Sequence, residues 1–121
     1  MKSPNAPQPK GPYSQGVVAG GLLFVSAQGP FDPTTGKISG DDIESQTHQS
    51  LKNLKAILEA GGLTLRDIVK VSVFLKNASD FQRMNEIYKT YFPEDPPTRT
   101  TVEAAVPIPG VLISVDAVAH T

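Results

Sequence analysis

Two charged residues near the end of the chain have the clearest potential for chemistry. Arg99 follows Pro97 and opens a run of threonines, and Asp116 lies in the apolar segment 115–118. The guanidinium group of arginine is permanently charged, and its planar set of donors fits a carboxylate. A carboxylate placed beside it can position or deprotonate a water molecule. Together the two side chains could bind a small carboxylic acid and direct water at it.

The composition limits the other kinds of chemistry. The chain has 121 residues, no cysteine and a formal net charge of −1, from 11 basic and 12 acidic side chains. The length predicts a single domain spanning residues 1–121. The lack of cysteine excludes disulfides, thiolate nucleophiles and cysteine-ligated zinc. Because the basic residues are scattered and outnumbered, nucleic acid is not an expected partner.

The sequence also predicts a cytoplasmic protein that needs no metal and no cofactor. It shows no apolar run of the kind found in signal peptides or membrane spans, so no membrane partner is expected. The two histidines, His48 and His120, are spaced neither as metal ligands nor as part of a nucleophile–base pair. We expect both of them to be solvated.

The order of sequence patterns predicts an α+β domain, β-β-α-β-α-β-β, with both helices on one face of a mixed sheet. Glycine pairs, aspartates and prolines mark the turns and the helix ends. The predicted elements are a strand from Tyr13, a hairpin turn at Gly20-Gly21, a strand over 22–28, a helix from Asp41 or Asp42 to Gly61, a strand over 68–76, a helix opened by a Ser79/Gln82 capping box and stopped by Pro93, and strands at about 98–105 and 111–119.

The predicted strands have two different faces. One set of alternating positions is aliphatic and should pack under the helices: Val69, Val71, Val73, Leu75, Val111, Ile113 and Val115. The other set mixes residue types: Ser72, Phe74, Arg99, Thr101, Leu112, Ser114, Asp116 and Val118. This mixture is too apolar for a solvated face and too polar for a dry core. It predicts an oligomer interface that contains the active site.

The last two strands are predicted to pair as a hairpin around a loop from Val106 to Pro109. In that register Arg99 stands directly opposite Asp116, with Cβ atoms about 4.5–5.5 Å apart. The two groups could then share a ligand or a water molecule. The alternative is an ordinary surface salt bridge, worth about 0–1 kcal/mol.

Several short motifs occur along the chain in a characteristic order. They are Gly11-Pro12-Tyr13-Ser14-Gln15-Gly16, Val25-Ser26-Ala27-Gln28, Met84-Asn85-Glu86-Ile87-Tyr88, Pro97-Thr98-Arg99 and Val115-Asp116-Ala117-Val118-Ala119. With them the chain resembles, over essentially its whole length, the RidA (YjgF) family of reactive intermediate deaminases. The resemblance implies a chorismate-mutase-like fold and a homotrimer with clefts between the subunits. It also implies hydrolysis of 2-imino and 2-enamino acids, such as 2-aminoacrylate, to 2-keto acids and ammonia.

The resemblance assigns roles to individual residues. Arg99 matches the family arginine that binds the substrate carboxylate, and Tyr13 matches a tyrosine that lines the cleft. Ser26 and the backbone of Ala27 match the strand segment beside the substrate, and Asn85 matches a cleft asparagine. Purely structural roles stay open for three of these residues. Tyr13 could cover the edge of the core, and Ser26 and Asn85 could be structural hydrogen-bonding groups.

Two positions depart from the pattern of many family members. Asp116 stands where many have a glutamate that is thought to position the attacking water. The side chain of aspartate is one methylene shorter than that of glutamate, so its carboxylate is set back by about 1.5 Å, the length of one carbon–carbon bond. Thr101 stands where some members have cysteine. Glu103, on the same predicted strand as Arg99, is expected to orient Arg99 or to lie at the rim of the site.

Two other functions compete with deamination. The older family label is endoribonuclease or translation inhibitor, which the scattered basic residues argue against. The third possibility is a trimeric binding module that holds a small carboxylic acid in its clefts without turnover. Ligand-induced stabilisation in the absence of turnover would distinguish that module from an enzyme.

Overall fold

Two helices pack on one face of a five-stranded sheet in the computed structural model, which describes residues 1–121. The elements are β1 Gly16–Ala19, β2 Leu22–Gln28, α1 Ile43–Ala60, β3 Ile68–Leu75, α2 Phe81–Tyr91, β4 Thr98–Glu103 and β5 Ile113–His120. The spatial order of the strands is β1-β2-β5-β3-β4, and only β3 and β4 are parallel. The predicted element order and the α+β class are therefore confirmed.

Helix α1 forms where the sequence pattern predicts it. The Asp42 side chain accepts a hydrogen bond from the Ser45 amide at 2.9 Å, and this bond lowers the pKa of Asp42. Gly62, with φ of 76°, follows the helix end in the left-handed conformation that glycine adopts without strain. Side chains at helical spacing are buried along this helix: Ile43, Thr47, Leu51, Leu54, Ile57 and Leu58.

The β1–β2 hairpin turns at Gly20 and Gly21, which have φ of 58° and 76°. Both values are positive, as a type I′ turn requires. The first strand begins at Gly16 and not at Tyr13, so that prediction was wrong. The reason lies in the buried side chain of Gln15. Its amide group bonds the backbone of Ser3 (2.6 and 3.2 Å) and Pro7 (2.8 Å) and so holds this segment to the irregular N-terminal arm.

The predicted hairpin between the last two strands was wrong. β5 lies between β2 and β3, and β4 lies at the sheet edge, parallel to β3. The chain between β4 and β5 crosses the end of β3. There the Ala104 amide bonds the Leu75 carbonyl at 2.8 Å, and the Lys76 amide bonds the Leu112 carbonyl at 3.0 Å. The placement has a physical basis, because the polar strand β4 tolerates an edge and the apolar strand β5 gains burial at the centre.

This topology puts Arg99 and Asp116 on opposite faces of the sheet. Arg99 aligns with Val71, which is buried under the helices, whereas Asp116 aligns with Ser72. Thr101 aligns with buried Val73 and is also on the helix face. The assignment of Arg99 and Thr101 to the mixed face was therefore wrong.

Within the strands, the rest of the face assignment is right except at Val69. Val111 and Leu112 precede β5 and were assigned wrongly, because Val111 lines a cleft beside the other face and Leu112 packs against the core. A register irregularity between Ile68 and Lys70 shifts the alternation by one residue. As a result Ile68 is buried and Val69 is exposed. We call the sheet surface opposite the helices the open face; it includes Phe24, Lys70, Ser72, Phe74, Thr100, Val102, Ser114, Asp116 and Val118.

The second helix does not begin with the predicted capping box. A 3₁₀ turn, Ala78–Asp80, precedes it, and Asp80 makes no side-chain cap. Instead, a Glu103 carboxylate oxygen accepts the Ala78 amide at 2.6 Å. Glu103 therefore ties the end of β4 to the start of α2, and its predicted role of orienting Arg99 was wrong.

No helix of the structure is both long and apolar enough to cross a membrane.

Candidate functional site

Arg99 lies in the angle between edge strand β4 and helix α2. Its guanidinium carbon is 4.6 Å from the centre of the Tyr88 ring and 5.7 Å from that of Phe81. Stacking on aromatic faces suits the planar guanidinium and fixes its direction. Arg99 forms no salt bridge within the chain, although its side chain is half-buried. Its donors are thus held in place with no anion to receive them.

Tyr88 forms the floor beneath this arginine and is only 7% exposed. Burial raises the pKa of its phenol to about 12, and the positive charge of Arg99 opposes that rise to a smaller extent. The phenol therefore stays protonated near neutral pH and keeps a hydrogen to donate. The sequence placed Tyr88 only in the apolar stripe of α2. The signal for a further role was its spacing of three residues from Asn85, which puts both on one side of a helix.

Three side chains around Arg99 have buried polar atoms without hydrogen-bond partners. They are Asn85 Oδ1 and the Tyr88 hydroxyl on α2, and Thr101 Oγ1 on β4. Arg99 and Thr101 alternate along β4 and so share a face, which is the face that α2 covers. Buried polar atoms are nearly always hydrogen-bonded, so this grouping is unusual. We call Asn85, Tyr88, Arg99 and Thr101 the edge site.

A separate cleft of about 360 Å³ opens beside the open face. Tyr13 and Ala27 line one side of it, and Phe74 and Ser114 from the open face line another. Tyr13 is 52% exposed, so it does not seal the core. Ala27 sits at a register shift of β2 between Val25 and Gln28, the kind of bulge that turns residues out of a ladder beside functional sites.

Ser26 supports this cleft but does not line it. Its hydroxyl donates to the Ser14 carbonyl at 2.6 Å, and its amide donates to the Gln15 carbonyl at 2.9 Å. These bonds fasten the segment that carries Tyr13 to strand β2. The Ser26 hydroxyl therefore acts as a structural hydrogen-bonding group, the alternative left open by the sequence.

Asp116 lies next to the cleft, two residues from Ser114 on the same face of β5. Same-face neighbours along a strand are about 6.5–7 Å apart. Its partner in the ladder is Ser72, whose hydroxyl accepts a hydrogen bond from the Lys70 ammonium at 3.2 Å. Asp116 itself forms no ion pair within the chain. The carboxylate is available beside a space that a ligand could enter.

One chain thus divides the predicted site residues between two places. Arg99 and Thr101 lie on the helix face of β4, and Asn85 lies one helical turn from Tyr88, on which Arg99 is stacked. Tyr13 and Ala27 line the cleft, and Ser26 fastens the segment that carries Tyr13. Asp116 lies beside the cleft on the open face. The edge site has a guanidinium stacked on Tyr88, and the other half has the Asp116 carboxylate, and neither group forms an ion pair within the chain.

The histidines lie outside both halves. The prediction that His48 is solvated was wrong, because its Nδ1 is 2.9 Å from the Tyr91 hydroxyl and the two rings pack edge to face. His120 is mostly exposed, 3.9 Å from Asp67. No three His, Asp or Glu side chains lie close enough together to hold a metal ion.

Comparison with known proteins places this arrangement in a family. Residues 3–121 match the family model described as Endoribonuclease L-PSP. A RutC family protein of Pyrococcus horikoshii is 51% identical over 116 residues, which cover 96% of this chain and 92% of that protein. A 2-iminobutanoate/2-iminopropanoate deaminase of Salmonella typhimurium is 44% identical over 118 residues, which cover 95% of this chain and 91% of the enzyme.

The fold has close counterparts among solved structures. The crystal structure of the YjgF gene product from E. coli superposes with a TM-score of 0.92 at 41% identity, covering 98% of this chain and 94% of that one. The two-helix, five-strand architecture of this chain therefore agrees with the fold that the resemblance implies. The chain belongs to the endoribonuclease L-PSP family, which is the RidA (YjgF) family.

Proposed function

We propose that the protein hydrolyses 2-imino and 2-enamino acids to 2-keto acids and ammonia. The observation that carries this proposal is the edge site, in which Arg99 is stacked on Tyr88 with no anion to bind. A charge-assisted contact between a guanidinium and a carboxylate is worth about 1.5–3 kcal/mol, enough to orient a small acid. A relative named as an imine deaminase, 44% identical to this chain, supports the same reaction.

In the proposed mechanism Arg99 binds the substrate carboxylate and Asp116 positions a water molecule. The water oxygen forms a bond to the imine carbon while its proton passes, through Asp116, to the imine nitrogen. In the resulting carbinolamine the hydroxyl proton passes to the amino nitrogen, the carbon–nitrogen bond breaks, ammonia leaves and the carbonyl forms. An enamine such as 2-aminoacrylate enters the same route after a proton moves to its terminal carbon. Positioning supplies most of the effect, because these compounds also hydrolyse in water.

The mechanism requires more than one copy of the chain, and we propose a homotrimer with an active site in each cleft between subunits. Arg99 and Asp116 lie on opposite faces of the sheet, so one subunit would supply the edge site and its neighbour the cleft with Asp116. Exposed apolar side chains on the open face, including Phe24 and Val102, give such an assembly something to bury. We place the reaction in the cytoplasm.

Turnover with Arg99→Ala tests the reaction. Ammonia and keto-acid release from freshly generated 2-aminoacrylate should exceed background for the wild type and fall by roughly tenfold to a hundredfold for Arg99→Ala. Arg66→Ala is the matched control, because the Arg66 side chain is 84% exposed and away from both halves of the site. A wild type that binds keto acids and is stabilised by them, but never exceeds background, would replace the enzyme with the binding-module account.

Mixed assemblies test the shared site. Arg99→Ala and Asp116→Asn chains, each strongly impaired alone, should regain activity when co-expressed. In a three-fold ring each mixed trimer has one cleft with both native groups, so random mixing predicts about one quarter of wild-type activity. No recovery from mixed trimers of verified composition would show that both groups come from one subunit.

A further inference from the structure

The cleft beside Tyr13 has walls of hydrocarbon. Phe31 and Phe74 form part of its wall, and Val106, Ile108 and Val111 come from the segment that crosses the end of β3. None of its lining residues is acidic, and Lys10 is its only charged one. The Lys10 ammonium is 4.5 Å from the centre of the Phe31 ring. A predominantly apolar lining with a few polar groups is typical of pockets that bind small organic molecules.

The walls of the cleft are held by buried amide side chains of α1. Asn53 donates to the carbonyls of Gly29 (3.1 Å) and Phe31 (2.8 Å). Gln46 donates to the Gly110 carbonyl at 2.9 Å and accepts the Leu112 amide at 2.7 Å. Both side chains are almost wholly buried. The two loops that contribute apolar wall residues are thus fixed to the same helix, so the cleft is preformed and needs no ligand to open it.

The small imino acids do not need these walls. A substrate derived from alanine has only a methyl group beyond its reacting carbon, whereas the cleft volume is about 360 Å³. Ile108 is 45% exposed in the single chain, so a large apolar surface stays in contact with water unless a ligand or a neighbouring subunit covers it. Covering it with a hydrocarbon side chain is favourable by about 0.8 kcal/mol for each methylene buried.

We infer that the cleft receives the side chain of the imino acid and that the enzyme prefers branched aliphatic or aromatic imino acids over those derived from alanine or serine. This inference rests on the proposed deaminase function, in which Asp116, beside the cleft, positions the attacking water. One methylene in an apolar pocket changes kcat/KM by roughly tenfold or more. The imino acid derived from leucine should therefore be hydrolysed with a kcat/KM at least about tenfold above that of the alanine analogue.

The first test compares kcat/KM for imino acids generated in situ by oxidation of leucine, phenylalanine and alanine. Ile108→Ser should reduce the leucine-to-alanine ratio of kcat/KM by about tenfold, since it replaces hydrocarbon with a hydroxyl group. The matched control is Val18→Ser, because Val18 is 57% exposed but lies outside the cleft. Val18→Ser should leave the ratio unchanged. A wild-type preference for the alanine-derived substrate, or equal loss of the ratio in both variants, would overturn the inference.

A second measurement separates this inference from the proposed reaction. Calorimetry with the stable 2-keto acids of leucine and alanine needs no turnover, and the leucine compound should bind at least about tenfold more tightly to the wild type. Tighter binding of the leucine compound in a protein without turnover would support the cleft assignment while the deaminase proposal fails. Equal binding of the two keto acids, or no binding of either, would overturn the cleft assignment even in an active enzyme.

Discussion

Gln46 offers the sharpest test of how the fold supports the site. The side chain is fully buried on α1 and makes three hydrogen bonds to backbone groups of two loops. Its amide nitrogen donates to the carbonyls of Gly40 (3.1 Å) and Gly110 (2.9 Å), and its oxygen accepts the Leu112 amide (2.7 Å). Gln46→Met keeps the length, the volume and the helix propensity of the side chain and removes only these bonds.

The expected loss follows from the number of bonds. Each contributes about 1 kcal/mol, so Gln46→Met should lower the free energy of unfolding by about 3 kcal/mol, and by more if the freed backbone groups find no water. A domain of this length is stable by roughly 6–18 kcal/mol, so the variant should still fold. With an unfolding entropy of about 0.25 kcal/mol/K for this length, Tm should fall by about 12 °C.

Urea denaturation measures this difference directly, and hydrogen exchange at the Leu112 amide locates it. The exchange should accelerate in Gln46→Met because that amide loses its acceptor. Lys52→Met is the control on the same helix, since Lys52 is exposed, and it should change stability by less than about 0.5 kcal/mol. Equal stability of the two variants would refute the claim that Gln46 fastens the crossing segment.

Three further predictions concern single side chains. Burial raises the pKa of Tyr88 to about 12 in the folded protein, whereas the pKa of a tyrosine in the unfolded chain is about 10. The free energy of unfolding should therefore fall by up to about 1.4 kcal/mol per pH unit between these two values. Denaturation of Tyr88→Phe at several alkaline pH values should lack this fall. Glu103→Ala should cost about 1 kcal/mol by removing the acceptor of the Ala78 amide, and thermal unfolding indistinguishable from wild type would contradict it. Asp116→Asn should lower kcat by roughly a hundredfold or more with little change in KM, because it removes the proposed base and leaves Arg99 to bind the substrate carboxylate. Steady-state kinetics that show a change in KM alone would assign Asp116 to binding.

Local signals in the sequence were sufficient for most of the elements. The Gly20-Gly21 turn and the α1 cap at Asp42 each depend on residues close together in the chain, and both occur as predicted. The alternation in β3 failed at Val69 because a register irregularity beside it shifts the pleat by one residue. Such a shift depends on pairing with β5, which no window of β3 residues contains.

The pairing of the last strands could not be read from local pattern. The connection between β4 and β5 runs from Ala104 to Leu112, a length that suits either a hairpin or a crossing over β3. What decides between them are long-range bonds, such as the one from Ala104 to the Leu75 carbonyl, and the greater burial available to an apolar strand at the sheet centre. The face of the sheet on which Arg99 lies depends on that choice, so its face was predicted wrongly.

Arg99 and Asp116 lie in different parts of the subunit, and this separation bears on their chemistry. A single chain leaves both charges without an ionic partner, on opposite faces of one sheet. In the mechanism proposed above, an ion pair between them would neutralise the groups that bind the substrate carboxylate and position water. Their separation within the subunit keeps both available, and in the proposed trimer a ligand held between subunits would bring them together.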